Sequence, residues 1–164
     1  WLQGRLLNKR VTFTDFVACA CHLVTTGRTE PARLAARGLS AGGLLMGAAT
    51  HLAPELFAVV VAEVPFVDVV NTMLDDTLPL TVGEWEEWGD PRDREAYEYL
   101  RSYSPYENLP GPRRPALLVT ASRHDPDVAG PPTDNGDGYA TVQVGTNVMG
   151  FRRRRVVNVC RGAA

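Results

Sequence analysis

The chain has 164 residues, of which 45% are hydrophobic and 22% charged. That is enough for one packed core and excludes disorder throughout. A formal net charge of -2 supplies no basic field for phosphates, which argues against a nucleic-acid partner, and no run approaches the roughly 20 apolar residues of a membrane span.

The first residues, Trp1-Leu2-Gln3-Gly4-Arg5, carry neither an initiator Met nor a signal-peptide pattern. The chain is therefore expected to begin inside a domain. From about Thr12 to Thr26 the residues Phe13, Phe16, Val17, Ala20, Leu23 and Val24 fall on one stripe at helical spacing, and Gly27 supplies the stop. Cys19 and Cys21 lie within this helix and Cys160 near the end. They form neither a C-x-x-C pair nor an even set, so they read as reduced thiols, with a cytoplasmic location as the expectation.

A short apolar run, Leu34-Ala35-Ala36, leads into Gly38-Leu39-Ser40-Ala41-Gly42-Gly43, and Leu44, Leu45 and Ala48 continue at helical spacing. This predicts strand, sharp turn, helix. Ala58 to Ala62 is a β-branched run apolar on both alternating faces, the pattern of a central parallel strand covered by helices on each side. An irregular stretch is expected to about Asp90, then an amphipathic helix from Asp93 to Tyr103, then a buried strand over Leu117 to Thr120. The order β-α-β-α-β implies a doubly wound, mostly parallel α/β sheet. From Pro126 on, Gly and Pro become frequent, no period persists, and Arg152 to Arg155 reads as a solvated run. Two regions follow: a catalytic-type α/β region over 1–125, and a tail over 126–164 expected to be disordered.

Gly38-Leu39-Ser40-Ala41-Gly42 has the spacing of a nucleophile elbow, G-x-S-x-G, between a predicted strand and a predicted helix. The serine of such an elbow sits on a strained turn that lifts its hydroxyl above the sheet. Gly38 and Gly42 are expected to be small because strand and helix backbones approach there. The helix that follows offers the Ala41 N–H as an oxyanion donor, helped by the positive end of the helix dipole.

A triad on this fold runs Ser, acid, His. Asp125 follows the last predicted strand after a short turn, where its carboxylate could orient an imidazole. Position alone leaves open a solvated loop aspartate. The chain's three histidines are His22, His51 and His124, and none suits the base. His51 lies on the helix that begins after Ser40, which at about 1.5 Å per residue puts it roughly 16 Å away. His22 sits on the first helix, and His124 directly precedes its own acid partner.

Gly4-Arg5-Leu6-Leu7-Asn8-Lys9, Thr12-Phe13-Thr14-Asp15-Phe16, the block Gly38 to Gly47, and Ala62-Glu63-Val64-Pro65-Phe66-Val67-Asp68-Val69-Val70-Asn71-Thr72-Met73 resemble the catalytic domain of the prolyl oligopeptidase family. Thr81 to Gly89 and Tyr103 to Asn108 extend the resemblance, which runs to about Asp125. It implies a partial α/β-hydrolase domain, incomplete at both ends. In such a domain Ser40 is the nucleophile and Asp125 the triad acid of a serine-type oligopeptidase that cuts short peptides after Arg or Lys.

The acidic residues of that branch's basic-side-chain pocket correspond to Glu84 and Glu86, with Phe66 as a further lining residue. An extended segment would project carboxylates at i and i+2 to one side, where both could grip a guanidinium. No metal or organic cofactor is implied, and the expected partners are short basic peptides. After Asp125 the family pattern of helix, strand and catalytic histidine is not matched, as a shifted reading frame or a truncation would explain. The chain alone is therefore expected to be inactive. Two rival readings are a non-catalytic remnant acting at most as a binding protein, and an esterase or acylaminoacyl peptidase. The second would not depend on Glu84 or Glu86.

Overall fold

An apolar stripe on an otherwise polar segment produces the first helix, α1 (Arg10–Thr25). In the computed structural model, which describes residues 1–108, 114–121 and 141–145, this stripe buries Phe13 and Ala20 and half-buries Phe16, Val17 and Val24. Leu23, expected on the same stripe, is 42% exposed, because at about 100° per residue it falls at the stripe's edge. The chain turns out of the helix at Gly27, whose φ of 70° suits a residue without Cβ.

Strand β1 (Ala35–Leu39), helix α2 (Ala41–Leu52) and strand β2 (Val59–Glu63) follow as predicted. The stretch after β2 departs from expectation. Instead of irregular chain it forms helices α3 (Val69–Leu74) and α4 (Thr81–Trp88). Their causes are side chains that sequence periodicity does not weigh. Asp68 caps α3 by accepting the Asn71 N–H. The Thr81 hydroxyl donates to the Thr72 carbonyl at 3.0 Å, and Trp85 Nε1 donates to the Met73 carbonyl at 3.0 Å, so α4 is tied to the end of α3. Helix α5 (Arg94–Arg101) is started by Asp93, which accepts from Glu95 and Ala96. Strand β3 (Ala116–Ala121) closes the predicted set.

The sheet order is β1-β2-β3-β4. The first three strands are parallel, in a register that aligns Leu39 with Glu63 and Glu63 with Thr120. Their carboxyl ends therefore share one edge. The fourth, β4 (Thr141–Gly145), pairs antiparallel with β3 and comes from the stretch in which the sequence suggested no element.

Helices cover one face of the sheet among the described residues. Ala36, Val60 and Ala62 are buried there against α2, whereas on the other face Leu39 is 63% and Val59 38% exposed. Among the described residues no helix covers the second face of β2, where Val59 of β2 and Leu39 of β1 are exposed. An apolar run on both alternating faces records what a strand can tolerate and does not by itself supply the second layer.

Helix α2 is the centre of the packing. Met46, Ala49 and Ala53 face the sheet, while Leu44 and Ala48 face a second cluster built from Phe13, Phe66, Met73, Trp88, Leu100 and Tyr103. Its glycines let neighbours approach. A Cβ on Gly47 would lie 2.6 Å from Pro105 Cγ.

Candidate active site

Ser40 lies between β1 and α2 with φ 56° and ψ -117°, a conformation that costs a non-glycine residue about 1–3 kcal/mol. The surrounding backbone holds it there. The Ser40 N–H donates to the Glu63 carbonyl at 2.9 Å, and the Ser40 carbonyl accepts from Gly43 (2.8 Å), Phe66 (3.1 Å) and Leu44 (3.2 Å). A serine ahead of a helix ordinarily turns its hydroxyl inward to cap it. At this φ Ser40 makes no such side-chain bond and remains exposed, so among the described residues its Oγ has no hydrogen-bond partner at the carboxyl ends of the strands. That is the geometry an elbow nucleophile needs.

Ala41 is the first residue of α2, so its N–H has no intrahelical acceptor and points out beside Ser40 with the positive end of the helix dipole. The expectation for the flanking glycines holds in part. A Cβ on Gly38 would lie 2.0 Å from the Gly42 carbonyl oxygen, so Gly38 is required. One on Gly42 would meet nothing within 4 Å, whereas one on Gly43 would lie 2.4 Å from Pro65 Cβ. The second close approach therefore belongs to Gly43.

Sequence reasoning missed the brace behind the elbow. Val64 has φ 41°, rare for a β-branched residue, and its N–H donates to the Thr120 carbonyl at 2.7 Å. This kink turns Pro65 onto Gly43 and brings the Phe66 N–H to Ser40. A proline two residues past a strand that ends beside the elbow was the available signal. Beside it, Arg37 and Glu63 pair across β1 and β2 at 2.6 Å, which holds the Glu63 carboxyl below its ordinary range and the guanidinium above its own.

Asp125 lies outside the described residues, as does His124. Strand β3 ends at Ala121 on the same edge as the elbow. His22 is exposed on α1 and His51 is exposed in the last turn of α2. The helix over Ala41–Leu52 bears out the separation that disqualifies His51. Among the described residues no cluster of three or more His, Cys, Asp or Glu could hold a metal ion, and no helix is long and apolar enough to cross a membrane.

Glu84 and Glu86 need a correction of geometry. They stand on α4, not on an extended segment, so two residues of spacing turns their side chains about 200° apart. They cannot grip one cation as neighbours on a strand would. Glu84 is half-buried, and its Oε2 accepts from Trp88 Nε1 at 2.7 Å; Glu86 is exposed. Phe66 is buried, with its ring edge-on to Trp88 at 5.3 Å between centroids. It is a core residue next to the elbow. Burial pushes the Tyr103 hydroxyl well above the ordinary tyrosine value, with smaller contributions from Tyr99 and Glu87.

A serine on a positive-φ turn between a parallel strand and a helix, with a helix N-terminal amide beside it, defines the nucleophile half of an α/β hydrolase. The model of the prolyl oligopeptidase family matches residues 1–133, and the chain belongs to that family. It is 55% identical over 129 residues to Protease 2 of Moraxella lacunata, covering 78% of this chain and 19% of that protein. It is 50% identical over 126 residues to dipeptidyl aminopeptidase BI of Pseudoxanthomonas mexicana, covering 77% and 17%. Among solved structures, oligopeptidase B from Trypanosoma brucei with covalently bound antipain superposes with a TM-score of 0.75 at 52% identity, over 78% of this chain and 18% of that one. Oligopeptidase B from Leishmania major gives 0.73 at 51%, over 76% and 17%. The chain thus spans about a fifth of the length of these relatives. The family match ends at residue 133, beyond Asp125.

Proposed function

We propose that this chain carries the nucleophile and substrate-cation side of a serine oligopeptidase that cuts short peptides after Arg or Lys. Ser40 Oγ attacks the scissile carbonyl, its proton passes to an imidazole nitrogen, and the oxyanion is held by the Ala41 N–H. The imidazole then returns the proton to the leaving amine, and water releases the acyl group by the same steps. Asp125 orients that imidazole, which none of His22, His51 or His124 supplies. On this reading the chain by itself is at most residually active. Glu84 receives the positive P1 side chain, Phe66 lines the approach, and Glu86 adds negative field from the solvent side. No cofactor takes part. The observation that carries the reading is the exposed Ser40 hydroxyl, held at φ 56° and making no side-chain hydrogen bond among the described residues.

External imidazole tests it. The purified chain is given an activated ester with Arg at P1, with and without imidazole, beside Ser40→Ala. The expected result is little turnover without imidazole and a rise with imidazole that Ser40→Ala abolishes. Imidazole-dependent turnover equal in both would remove Ser40 as nucleophile. Ser40-dependent turnover needing no imidazole would assign the base to a histidine of the chain, His124 first.

A further inference from the structure

We propose that Trp88 is a positioning residue for substrate binding: its indole N–H fixes one oxygen of Glu84 so that the other faces the substrate cation, and Lys9 seats the indole. The proposal rests on the assignment of Glu84 above.

Trp88 is buried and held from several sides. Phe66 meets the ring edge-on at 5.3 Å, and the Lys9 ammonium lies 4.2 Å from the ring centroid. Lys9 is only 7% exposed, and its charge is answered by an ion pair with Glu87. A buried tryptophan needs a partner for its N–H. Trp88 takes Glu84 Oε2, one turn back on α4. A free glutamate on a helix samples many rotamers, whereas this one is pinned by a bond of 2.7 Å.

Glu84 nonetheless enters no ion pair among the described residues, and no hydrogen bond to its Oε1 is seen among them. The lysine beside Trp88 is paired with Glu87, so among the described residues Glu84 is half-buried with one oxygen held and no counter-charge. A carboxylate accepts about four hydrogen bonds, so the capacity left is for an incoming cation. The same indole touches Phe66, whose N–H donates to the Ser40 carbonyl at 3.1 Å. One rigid path therefore joins the nucleophile's backbone to the carboxylate, setting the distance at which a side chain is read relative to the bond cut.

The test uses agmatine, a guanidinium with a short alkyl stem, titrated into the full chain while the indole N–H resonances are followed by NMR. In the unsubstituted chain the Trp88 resonance should shift saturably with added agmatine. Glu84→Gln should abolish the shift. Trp88→Phe, which keeps an aromatic ring and loses the donor, has no Trp88 resonance, so binding to it and to the other variants is also measured by calorimetry; it should weaken agmatine binding about tenfold, the effect of losing one charge-assisted bond. The Trp85 indole N–H, bound to the Met73 carbonyl, reports in each variant that α4 is intact. If Glu84→Gln weakens binding but Trp88→Phe does not, the positioning role is refuted and the Glu84 assignment stands. If Glu84→Gln leaves binding unchanged, both fall. A Trp88 resonance in the unsubstituted chain that ignores agmatine while binding saturates also overturns the proposal, whatever the variants do.

Discussion

The elbow and helix α4 are adjacent in the fold and specified in opposite ways. At the elbow, five consecutive residues and the strand before them dictate the backbone, and the bonds that hold Ser40 are all main chain. At α4 the backbone follows from side chains that reach it from elsewhere: Thr81 onto Thr72, Trp85 onto Met73, Lys9 onto Glu87 and Trp88. The first kind of site tolerates side-chain change and fails on backbone change. The second does the reverse.

The largest separation between them should come from Trp88→Ala. Removing a buried indole that contacts Phe66 and Lys9 is expected to cost about 3–5 kcal/mol, and the loss should show as a lower urea midpoint with faster amide exchange in α4. The strand amides near Ser40 should be the last to exchange. Uniform loss of protection across both regions would mean that they unfold as one unit and that the contrast is only one of sequence.

Gly38→Ala is the counterpart. Its Cβ would sit 2.0 Å from a backbone oxygen that cannot swing away, so a loss of about 3 kcal/mol is expected, with the elbow opened. Gly42→Ala sharpens the point, since its Cβ meets nothing within 4 Å. In a helix that change should raise stability by about 0.5–1 kcal/mol. If thermal melts rank the two alanines the other way, the close approach at the elbow has been assigned to the wrong glycine.

Between these lies Thr81→Val. The hydroxyl is buried and donates to the Thr72 carbonyl, so valine keeps the shape and loses the bond, at about 1 kcal/mol. The change should fray the start of α4 without moving Ser40.

These contrasts explain what the sequence made legible. Strands and long helices announce themselves through the spacing of Phe13, Ala20, Leu44 and Val60, and the elbow through small residues at fixed offsets. Helices α3 and α4 do not, because Asp75, Asp76, Pro79 and Gly83 punctuate the stretch and its side chains bond to partners distant in sequence, 9 positions away for Thr81 on Thr72, 12 for Trp85 on Met73 and 78 for Glu87 on Lys9. Glu84 and Glu86 were identified through family resemblance. Their angular relation depended on the helix that periodicity overlooked, and that relation decides which of the two can be held by Trp88.

The smallest expected effect is common to both regions and tests whether surface charge matters to either. Hydrogen bonding and charge from Arg37 hold the Glu63 carboxyl below its ordinary value of 4.5 beside the elbow; hydrogen bonds from the Thr77 hydroxyl and N–H lower Asp75, and hydrogen bonding and charge from Arg92 lower Asp90, each below the ordinary 3.8 on either side of α4. A lowered folded-state value means that the unfolded chain binds the proton first. Each pair therefore contributes fully above the ordinary carboxylate value, and that contribution is lost as pH falls through the lowered one. All of these groups are solvent-facing, so screening keeps each effect small. The urea midpoint should be flat from pH 7 to 5 with respect to these groups and decline below about pH 4.5. Glu63→Gln and Asp90→Asn should each flatten the acid limb slightly without changing its onset. A decline that begins well above the ordinary carboxylate range and survives both changes would mean that these surface carboxylates do not control the acid response.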